Sequence, residues 1–171
     1  MTHQREIFKG RVIRLTLDTV MLPNGNEAEL EIVHHPGGTA IVALDAENRV
    51  CLLRQYRHAA GGWVWELPAG KLEPGEAPLV TAQRELMEEA GMNAARWDSL
   101  GKVISSPGVF TEVIHLYLAR ELTPVTMQHE PHEVIEVHWR PWAEVLARAE
   151  RGEIEDAKTL AGLLRARPLI N

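Results

Sequence analysis

Period-two alternation of apolar and polar side chains organises the first third of the chain. Residues 11–22 alternate in this way for much of their length, and a Pro-Asn-Gly-Asn sequence at residues 23–26 separates them from a second strand-like segment at residues 27–35. An Asn-Gly pair between two alternating segments favours a tight turn between antiparallel strands. The pattern therefore predicts an N-terminal β-hairpin, followed by two further strands within residues 39–57.

A helical pattern replaces this alternation in residues 78–90. Pro78 suits the first turn of a helix because its missing N–H would have no partner there, and Gly91 favours the left-handed conformation that ends a helix. The apolar residues of the segment predict a buried helix side, formed by Leu79, Ala82, Leu86 and Ala90.

The rest of the chain predicts three strands and two helices. The strand-like segments are residues 96–106, 113–123 and about 134–139. One helix begins at about Pro141, and a last helix spans about residues 157–165. The apolar side of that last helix is expected to contain Leu160, Leu163 and Leu164. Many strands with one central helix and C-terminal helices indicate an α+β fold.

Composition narrows the classes of function. With 171 residues and 45% hydrophobic content the chain suits one soluble domain, and it contains no apolar run near the ~20 residues of a membrane span. The first residues do not resemble a signal peptide, so we expect a cytoplasmic protein. A net charge of −6 argues against nucleic acid or an anionic membrane as a partner. Cys51 stands alone in an apolar segment and is expected to be a core residue.

Three carboxylates are concentrated on the predicted central helix. Glu85, Glu88 and Glu89 lie three and four residues apart, so their side chains share one helix face. Like charges at this spacing destabilise a helix, whereas a divalent cation would use them as hard oxygen ligands. A solvated surface rich in glutamate is the alternative interpretation.

The spacing around these carboxylates favours the metal interpretation. From residue 70 to residue 92 the order is glycine, five residues, glutamate, seven residues, Arg-Glu-Leu, one residue, Glu-Glu, one residue, glycine and an aliphatic residue. This order resembles the Nudix box of the Nudix hydrolase superfamily at every defining position. The resemblance implies an α/β/α sandwich with a mixed sheet in residues 37–171, preceded by the hairpin in residues 1–36.

The resemblance also implies a role for each polar residue of the box. It implies Mg²⁺, with Mn²⁺ as an alternative, at two or three ions per site. The implied ligands are the side chains of Glu85, Glu88 and Glu89 and the main-chain carbonyl of Ala69. Arg84 is implied to orient these glutamates, and Glu76 is implied to be structural.

A narrower resemblance lies outside the box. It rests on residues 22–37, on Gln55-Tyr56-Arg57, on Ser106-Pro107-Gly108 followed by Glu112, and on residues 152–159. These segments are similar to the bacterial ADP-ribose pyrophosphatase branch, which implies hydrolysis of ADP-ribose to AMP and ribose 5-phosphate. The resemblance implies Arg57 near the diphosphate and Glu112 near the terminal ribose, in a homodimer whose hairpins cross between protomers. Gly108 and Arg54 are further candidates for substrate contact, with an ordinary turn and a solvated arginine as the alternatives.

The loop before the last predicted strand is expected to supply the general base. Members of the branch often carry a dense acidic run there, whereas this chain has only Glu130 and Glu133. Glu133 fits the position best and is also a candidate metal ligand, and Glu130 is the second candidate. His132 is a third group that could transfer a proton near neutral pH, and a solvated turn is the alternative interpretation of the loop.

Several alternatives stay open from the sequence. Trp63 and Trp65 could stack a base, or they could be core or dimer contacts. The substrate could be another nucleoside diphosphate derivative, such as GDP-mannose, a dinucleotide polyphosphate, NADH or an oxidised nucleotide. A ligand-binding regulator that lost catalysis would be expected to lose Glu85 or Glu89, and the chain keeps both.

Overall fold

The computed structural model describes residues 3–127 and 133–170. Its N-terminal sheet contains three antiparallel strands: β1 (His3–Lys9), β2 (Arg14–Met21) and β3 (Glu27–His34). The predicted hairpin is confirmed, because β2 and β3 pair along their whole length. The sequence pattern does not predict β1, since every residue of that strand is exposed and the strand therefore lacks an apolar face.

Seven further strands of the described residues form two sheets. They are β4 (Gly38–Ala43), β5 (Arg49–Arg57), β6 (Gly62–Glu66), β7 (Ala69–Lys71), β8 (Met92–Ile104), β9 (Val113–Pro124) and β10 (Ile135–Pro141). One sheet is mixed and has the order β7-β4-β9-β8, with β4 and β9 parallel. The other sheet is antiparallel and has the order β10-β5-β6. β4 and β5 follow each other along the chain, yet they enter different sheets.

Helices cover these sheets on two sides: α1 (Pro78–Ala90), α2 (Trp142–Glu150) and α3 (Ala157–Ala166). One hydrophobic cluster joins the strands to α1, and a second cluster joins them to α2 and α3. Ile41 belongs to the first cluster and Val42 to the second, because adjacent strand residues face opposite sides of a sheet. The predicted α/β/α sandwich with a mixed sheet is therefore confirmed, and Cys51 is a core residue of the first cluster.

The central helix α1 has the predicted bounds. It begins at Pro78 and ends at Ala90, and the next residue, Gly91, adopts the left-handed conformation with φ of 63°. Ala82, Leu86 and Ala90 are buried as expected, but Leu79 is exposed. The helix buries Glu85 and Glu89 instead, so part of its carboxylate face points into the protein. No helix in the described part of the chain is both long and apolar enough to cross a membrane.

The last helix, α3, does not have the expected apolar side. Leu163 is buried, whereas Leu160 and Leu164 are exposed. The buried side has the spacing i, i+3, i+4 and i+7 and consists of Thr159, Gly162, Leu163 and Ala166. Small residues on this side allow close packing, since a Cβ at Gly162 would lie 2.8 Å from Cδ1 of Leu67. The preference for leucine as a core residue gave the wrong helix face.

Leu163→Ala should lower the free energy of unfolding by about 2–5 kcal/mol, because it removes a fully buried side chain and leaves a cavity. Leu164→Ala removes an exposed side chain and should change that free energy by less than about 0.5 kcal/mol. Urea denaturation followed by circular dichroism measures both changes. Equal destabilisation by the two substitutions would contradict the assignment of the buried face.

Candidate active site

A cleft of about 450 Å³ lies beside α1, β7 and the first residues of α3. Its lining includes most of the side chains that the sequence singles out: Arg57, Ala69, Arg84, Glu85, Glu88, Glu89, Glu112 and Glu133. Residues that are distant along the chain are thus brought together, from β5 to the segment before β10. Glu130 and His132 lie outside the described residues.

The strand β7 lies directly against the carboxylates of α1. A Cβ on Gly70 would be 1.9 Å from Cδ of Glu85, so only glycine fits at this position. The main-chain N–H of Ala69 donates a hydrogen bond to Oε2 of Glu89 over 2.8 Å. Close approach of this strand to the helix therefore requires the glycine that begins the sequence motif.

Arg84 connects three glutamates. Its Nη1 donates to Oε1 of Glu85 at 2.7 Å and to Oε2 of Glu88 at 2.9 Å. Its Nε and Nη2 donate to Glu76, each over 3.2 Å. Hydrogen bonds from Arg84 and from Thr81 lower the pKa of Glu76 to about 2. Arg84 thus fixes the side chains around it and is held by the turn that precedes α1.

Two carboxylates of α1 are buried, and their burial is electrostatically unfavourable. Glu85 is 8% exposed and Glu89 is 2% exposed. Burial raises the pKa of Glu89 to about 8, although the N–H of Ala69 opposes this change. Burial also raises the pKa of Glu85, against the attraction of Arg84. The negative charge of Glu133 contributes to both increases.

The donor set fits a hard divalent cation. Carboxylate oxygens from α1 and from Glu133 line one cleft together with the backbone of Ala69, and oxygen donors of this type suit Mg²⁺ or Mn²⁺. A bound cation would favour the charged form of the buried glutamates and so oppose the rise in pKa that burial and mutual repulsion cause. In residues 3–127 and 133–170 no three acidic, cysteine or histidine side chains already form a compact ligand cluster. Arg84 donates hydrogen bonds to one carboxylate oxygen of Glu85 and to one of Glu88.

The loop that carries Glu112 is held by the N-terminal sheet. The N–H of Val33 in β3 donates to the carbonyl of Val109 at 2.8 Å, and the N–H of Thr111 donates to the carbonyl of Val33 at 2.9 Å. Oε1 of Glu112 lies 3.3 Å from Nδ1 of His35. The same nitrogen accepts a hydrogen bond from the N–H of Gly37 at 3.1 Å, so His35 links the Glu112 side chain to the residue before β4.

Not every predicted substrate residue lines the cleft. Gly108 belongs to the loop just described but lies outside the cleft lining. Arg54 is three residues from Arg57 along β5 and therefore faces the other side of the sheet. Its Nη1 is 3.3 Å from Oε2 of Glu136, and its guanidinium lies 4.8 Å from the ring centre of Trp63. Neither residue stands beside the carboxylates of α1.

The two tryptophans of β6 also lie away from the cleft lining. Trp63 is exposed and meets Tyr56 edge to face. Trp65 packs against the core cluster of α2 and α3 and contacts His138 and Arg148. A core role therefore applies to Trp65, while Trp63 leaves an aromatic surface outside the cleft.

Three functional residues of this region were not recognised from the sequence: Glu66, Asp156 and Lys158. Glu66 is almost fully buried and pairs with Arg57. Lys158 of α3 lines the cleft, as does Asp156, the residue before that helix. Burial opposes ionisation of Glu66, but hydrogen bonds from Arg57 and the charge of Lys158 lower its pKa overall. The resemblance over residues 152–159 was the signal that could have pointed to Asp156 and Lys158.

Comparison with known proteins gives a family for this fold and cleft. The model of the NUDIX domain matches residues 34–163. ADP-ribose pyrophosphatases of Bacillus subtilis (strain 168) and Mycobacterium tuberculosis are 39% and 40% identical to the chain over 158 and 161 residues. These alignments cover 91% and 92% of the chain, and 85% and 78% of the respective relatives.

A further relative is the methanol dehydrogenase activator of Bacillus methanolicus. It is 47% identical over 118 residues, which are 69% of the chain but only 64% of the activator, so the chain spans less than two thirds of that protein. The crystal structure of an ADP compounds hydrolase has a TM-score of 0.84 and covers 98% of the chain and 91% of its own. At 20% identity this structure supports the fold alone.

The family match includes β4 to β10, α1, α2 and α3 up to residue 163, and therefore every residue that lines the cleft. Proteins of this family generally use divalent metal ions, which agrees with the carboxylates beneath β7. From its motif, its fold and its relatives, the chain belongs to the NUDIX domain family and is a Nudix hydrolase.

Proposed function

We propose that this protein hydrolyses the diphosphate bond of ADP-ribose and releases AMP and ribose 5-phosphate in a Mg²⁺-dependent reaction. The observation that carries the proposal is the buried carboxylate cluster of Glu85 and Glu89 beneath β7, in a cleft that also contains Arg57 and Lys158. Such a cleft combines oxygen ligands for divalent cations with N–H groups that donate hydrogen bonds to phosphate oxygens. Relatives named ADP-ribose pyrophosphatase, about 40% identical over most of the chain, support this substrate.

The proposed metal ligands are the cleft carboxylates and one main-chain oxygen. Glu85, Glu88, Glu89, Glu133 and the carbonyl of Ala69 would hold two or three Mg²⁺ ions, with Mn²⁺ as a possible replacement. Divalent ions supply charge neutralisation at a diphosphate and lower the pKa of bound water. The protein positions these ligands through Arg84, through the N–H of Ala69 and through the absence of a side chain at Gly70.

Three residues that line the cleft have further proposed roles: Arg57, Glu112 and Glu133. Arg57 binds a diphosphate oxygen, and Glu112 recognises the terminal ribose from the loop held by β3. Glu133 lines the cleft and is close enough to Glu85 and Glu89 to affect their pKa, which suits a general base that accepts a proton from the attacking water. Arg54 and Gly108 lie outside the cleft lining, and contact of these two residues with substrate stays a prediction.

The proposed assembly is a homodimer in the cytoplasm, with residues 1–36 as the dimerising extension and residues 37–171 as the hydrolase domain. The N-terminal sheet exposes the large apolar side chains of Ile7, Phe8 and Met21, and the connection between β1 and β2 exposes Val12 and Ile13. A small sheet with exposed apolar side chains is typical of a surface that packs against another subunit. Sedimentation at micromolar concentration tests this assembly, and a monomer there would rule it out.

Product analysis tests the substrate. With Mg²⁺, ADP-ribose should give AMP and ribose 5-phosphate faster than GDP-mannose, diadenosine polyphosphates or NADH are hydrolysed, and EDTA should abolish turnover. Chromatography of the reaction mixtures identifies the products. Faster metal-dependent hydrolysis of another diphosphate would replace ADP-ribose as the substrate, while no hydrolysis of any of them would favour a binding role.

Glu89→Gln should lower kcat about a thousandfold or more, because the carboxylate is proposed to act on the reacting charges more than on the fold. Glu73→Gln is the matched control, since Glu73 lines the same cleft but is exposed and pairs with Lys71. The control should keep kcat within about threefold of the wild type, as expected for a surface ion pair of little energetic weight. Steady-state kinetics at saturating Mg²⁺ measures both, and wild-type kcat in Glu89→Gln would remove the proposed role.

Glu133→Gln should lower kcat by about 10²–10⁴, as expected for loss of a general base, and should change KM much less. Glu130→Gln should have the smaller effect. The two variants are compared by their pH profiles of kcat, which should lose an ionisation only when the base is removed. The reverse ranking would assign proton transfer to Glu130.

A further inference from the structure

Glu66 holds two cations from different parts of the fold. It ends β6, and only 3% of it is exposed. Arg57 of β5 donates to both carboxylate oxygens, from Nε to Oε1 at 2.8 Å and from Nη2 to Oε2 at 3.0 Å. Nζ of Lys158 in α3 donates to the same Oε2. One buried carboxylate therefore sets the positions of a guanidinium and an ammonium group.

Lys158 is fixed from a second direction by the start of α3. Its Nζ donates to Oδ1 of Asp156 at 3.0 Å. The other oxygen of Asp156 accepts hydrogen bonds from the N–H and the hydroxyl of Thr159 at 3.0 and 2.6 Å, which caps the helix. The Thr159 hydroxyl oxygen in turn accepts from the N–H of Leu67, the residue after β6, at 2.9 Å. The ammonium group is thus held between a helix start and a strand end.

Both cations keep donors for a ligand. The bonds to Glu66 use Nε and Nη2 of Arg57, and no described residue accepts a hydrogen bond from its Nη1. An ammonium group has three N–H donors, and the contacts of Lys158 with Glu66 and Asp156 use two of them. Arg57 and Lys158 line the same cleft as Glu85 and Glu89. The remaining donors are therefore in a position to meet an anion bound there.

We propose that Lys158 contacts the diphosphate of the substrate together with Arg57, and that Glu66 is the positioning residue that orients both cations. The proposal rests on the proposed function, since it concerns the same cleft, and it requires only that the ligand contain a diphosphate. A guanidinium and an ammonium group from separate elements can reach oxygens on both phosphoryl groups, which a single arginine would serve less completely.

Charge alone does not explain such a role. Arg57 and Lys158 are matched by the two negative charges of Glu66 and Asp156, so the group is formally neutral. Its value to an anion comes from donors that already point in a fixed direction, which saves the entropy of ordering two long side chains. Removal of the negative charge of Glu66 should for this reason weaken diphosphate binding, whereas simple Coulomb attraction predicts stronger binding.

The sign of the Glu66→Gln effect decides between these two outcomes. Glu66→Gln should raise KM for ADP-ribose about tenfold and weaken binding of Mg²⁺-ADP to a similar extent, with kcat changed less than about threefold. Glu153→Gln is the matched control, because Glu153 also accepts from two arginines, Arg148 and Arg151, but lies outside the cleft. It should leave both constants unchanged. Tighter binding of Mg²⁺-ADP by Glu66→Gln would overturn the positioning role.

Lys158 is tested directly and does not depend on the folding of the Glu66 variant. Lys158→Met should weaken Mg²⁺-ADP binding about tenfold, leave adenosine binding unchanged and be largely rescued in Lys158→Arg. Lys102→Met, at an exposed lysine outside the cleft, should behave as the wild type. Calorimetric titration measures these affinities, and circular dichroism melting shows that each variant is folded. Wild-type ADP binding in Lys158→Met would overturn the contact.

The two proposals fail in different ways. If the wild type binds Mg²⁺-ADP through Lys158 but does not hydrolyse ADP-ribose, the proposed substrate is wrong and the diphosphate contact stands. If ADP-ribose is hydrolysed and Lys158→Met changes neither KM nor ADP affinity, the substrate stands and the contact is wrong. A wild type that binds no ADP at all would overturn both.

Discussion

Burial of like charges on α1 is the constraint on which the site depends. Glu85 and Glu89 are taken out of water beside each other, and this burial raises the pKa of both. Such an arrangement persists only where the surrounding structure compensates for it. The compensation comes from the guanidinium of Arg84, from the N–H of Ala69 and from a glycine that lets β7 lie over the helix.

Two charge networks of opposite polarity border the cleft. Beside α1, one cation, Arg84, holds three glutamates. Near α3, one anion, Glu66, holds Arg57 and Lys158. The first arrangement leaves carboxylate oxygens for divalent cations, and the second leaves N–H donors for phosphate oxygens. A metal-bound diphosphate needs both kinds of partner, so the two networks are complementary to two parts of one ligand.

The sequence predicted those features that have a local physical cause. The bounds of α1 followed from Pro78 and Gly91, and the hairpin of β2 and β3 followed from alternation around an Asn-Gly turn. The exposed strand β1 has no apolar periodicity and gave no signal. Local spacing placed the glutamates on one helix face but could not show that two of them are buried, because burial depends on the packing of β7.

Long-range contacts set the limit of prediction at the site. Glu66 and Lys158 are 92 residues apart, and their pairing depends on how α3 packs against the end of β6. The buried face of α3 was predicted wrongly because two of its residues are not large and apolar. Thr159 accepts a hydrogen bond from Leu67, and Gly162 allows close packing against the same residue. The spacing of Arg54 and Arg57 along β5 places them on opposite faces, but only the packed structure shows that the face of Arg57 borders the cleft.

The two hydrogen bonds between Val33 and the loop at residues 109–111 join the N-terminal sheet to the wall of the cleft. The sheet therefore helps to position the loop that carries Glu112, in addition to its proposed role in assembly. A contact that restrains the sheet also restrains that loop. By linkage, a ligand that orders the loop strengthens the contact with the sheet by the same free energy. In the proposed homodimer, subunit association and ligand recognition at the cleft would therefore be thermodynamically linked.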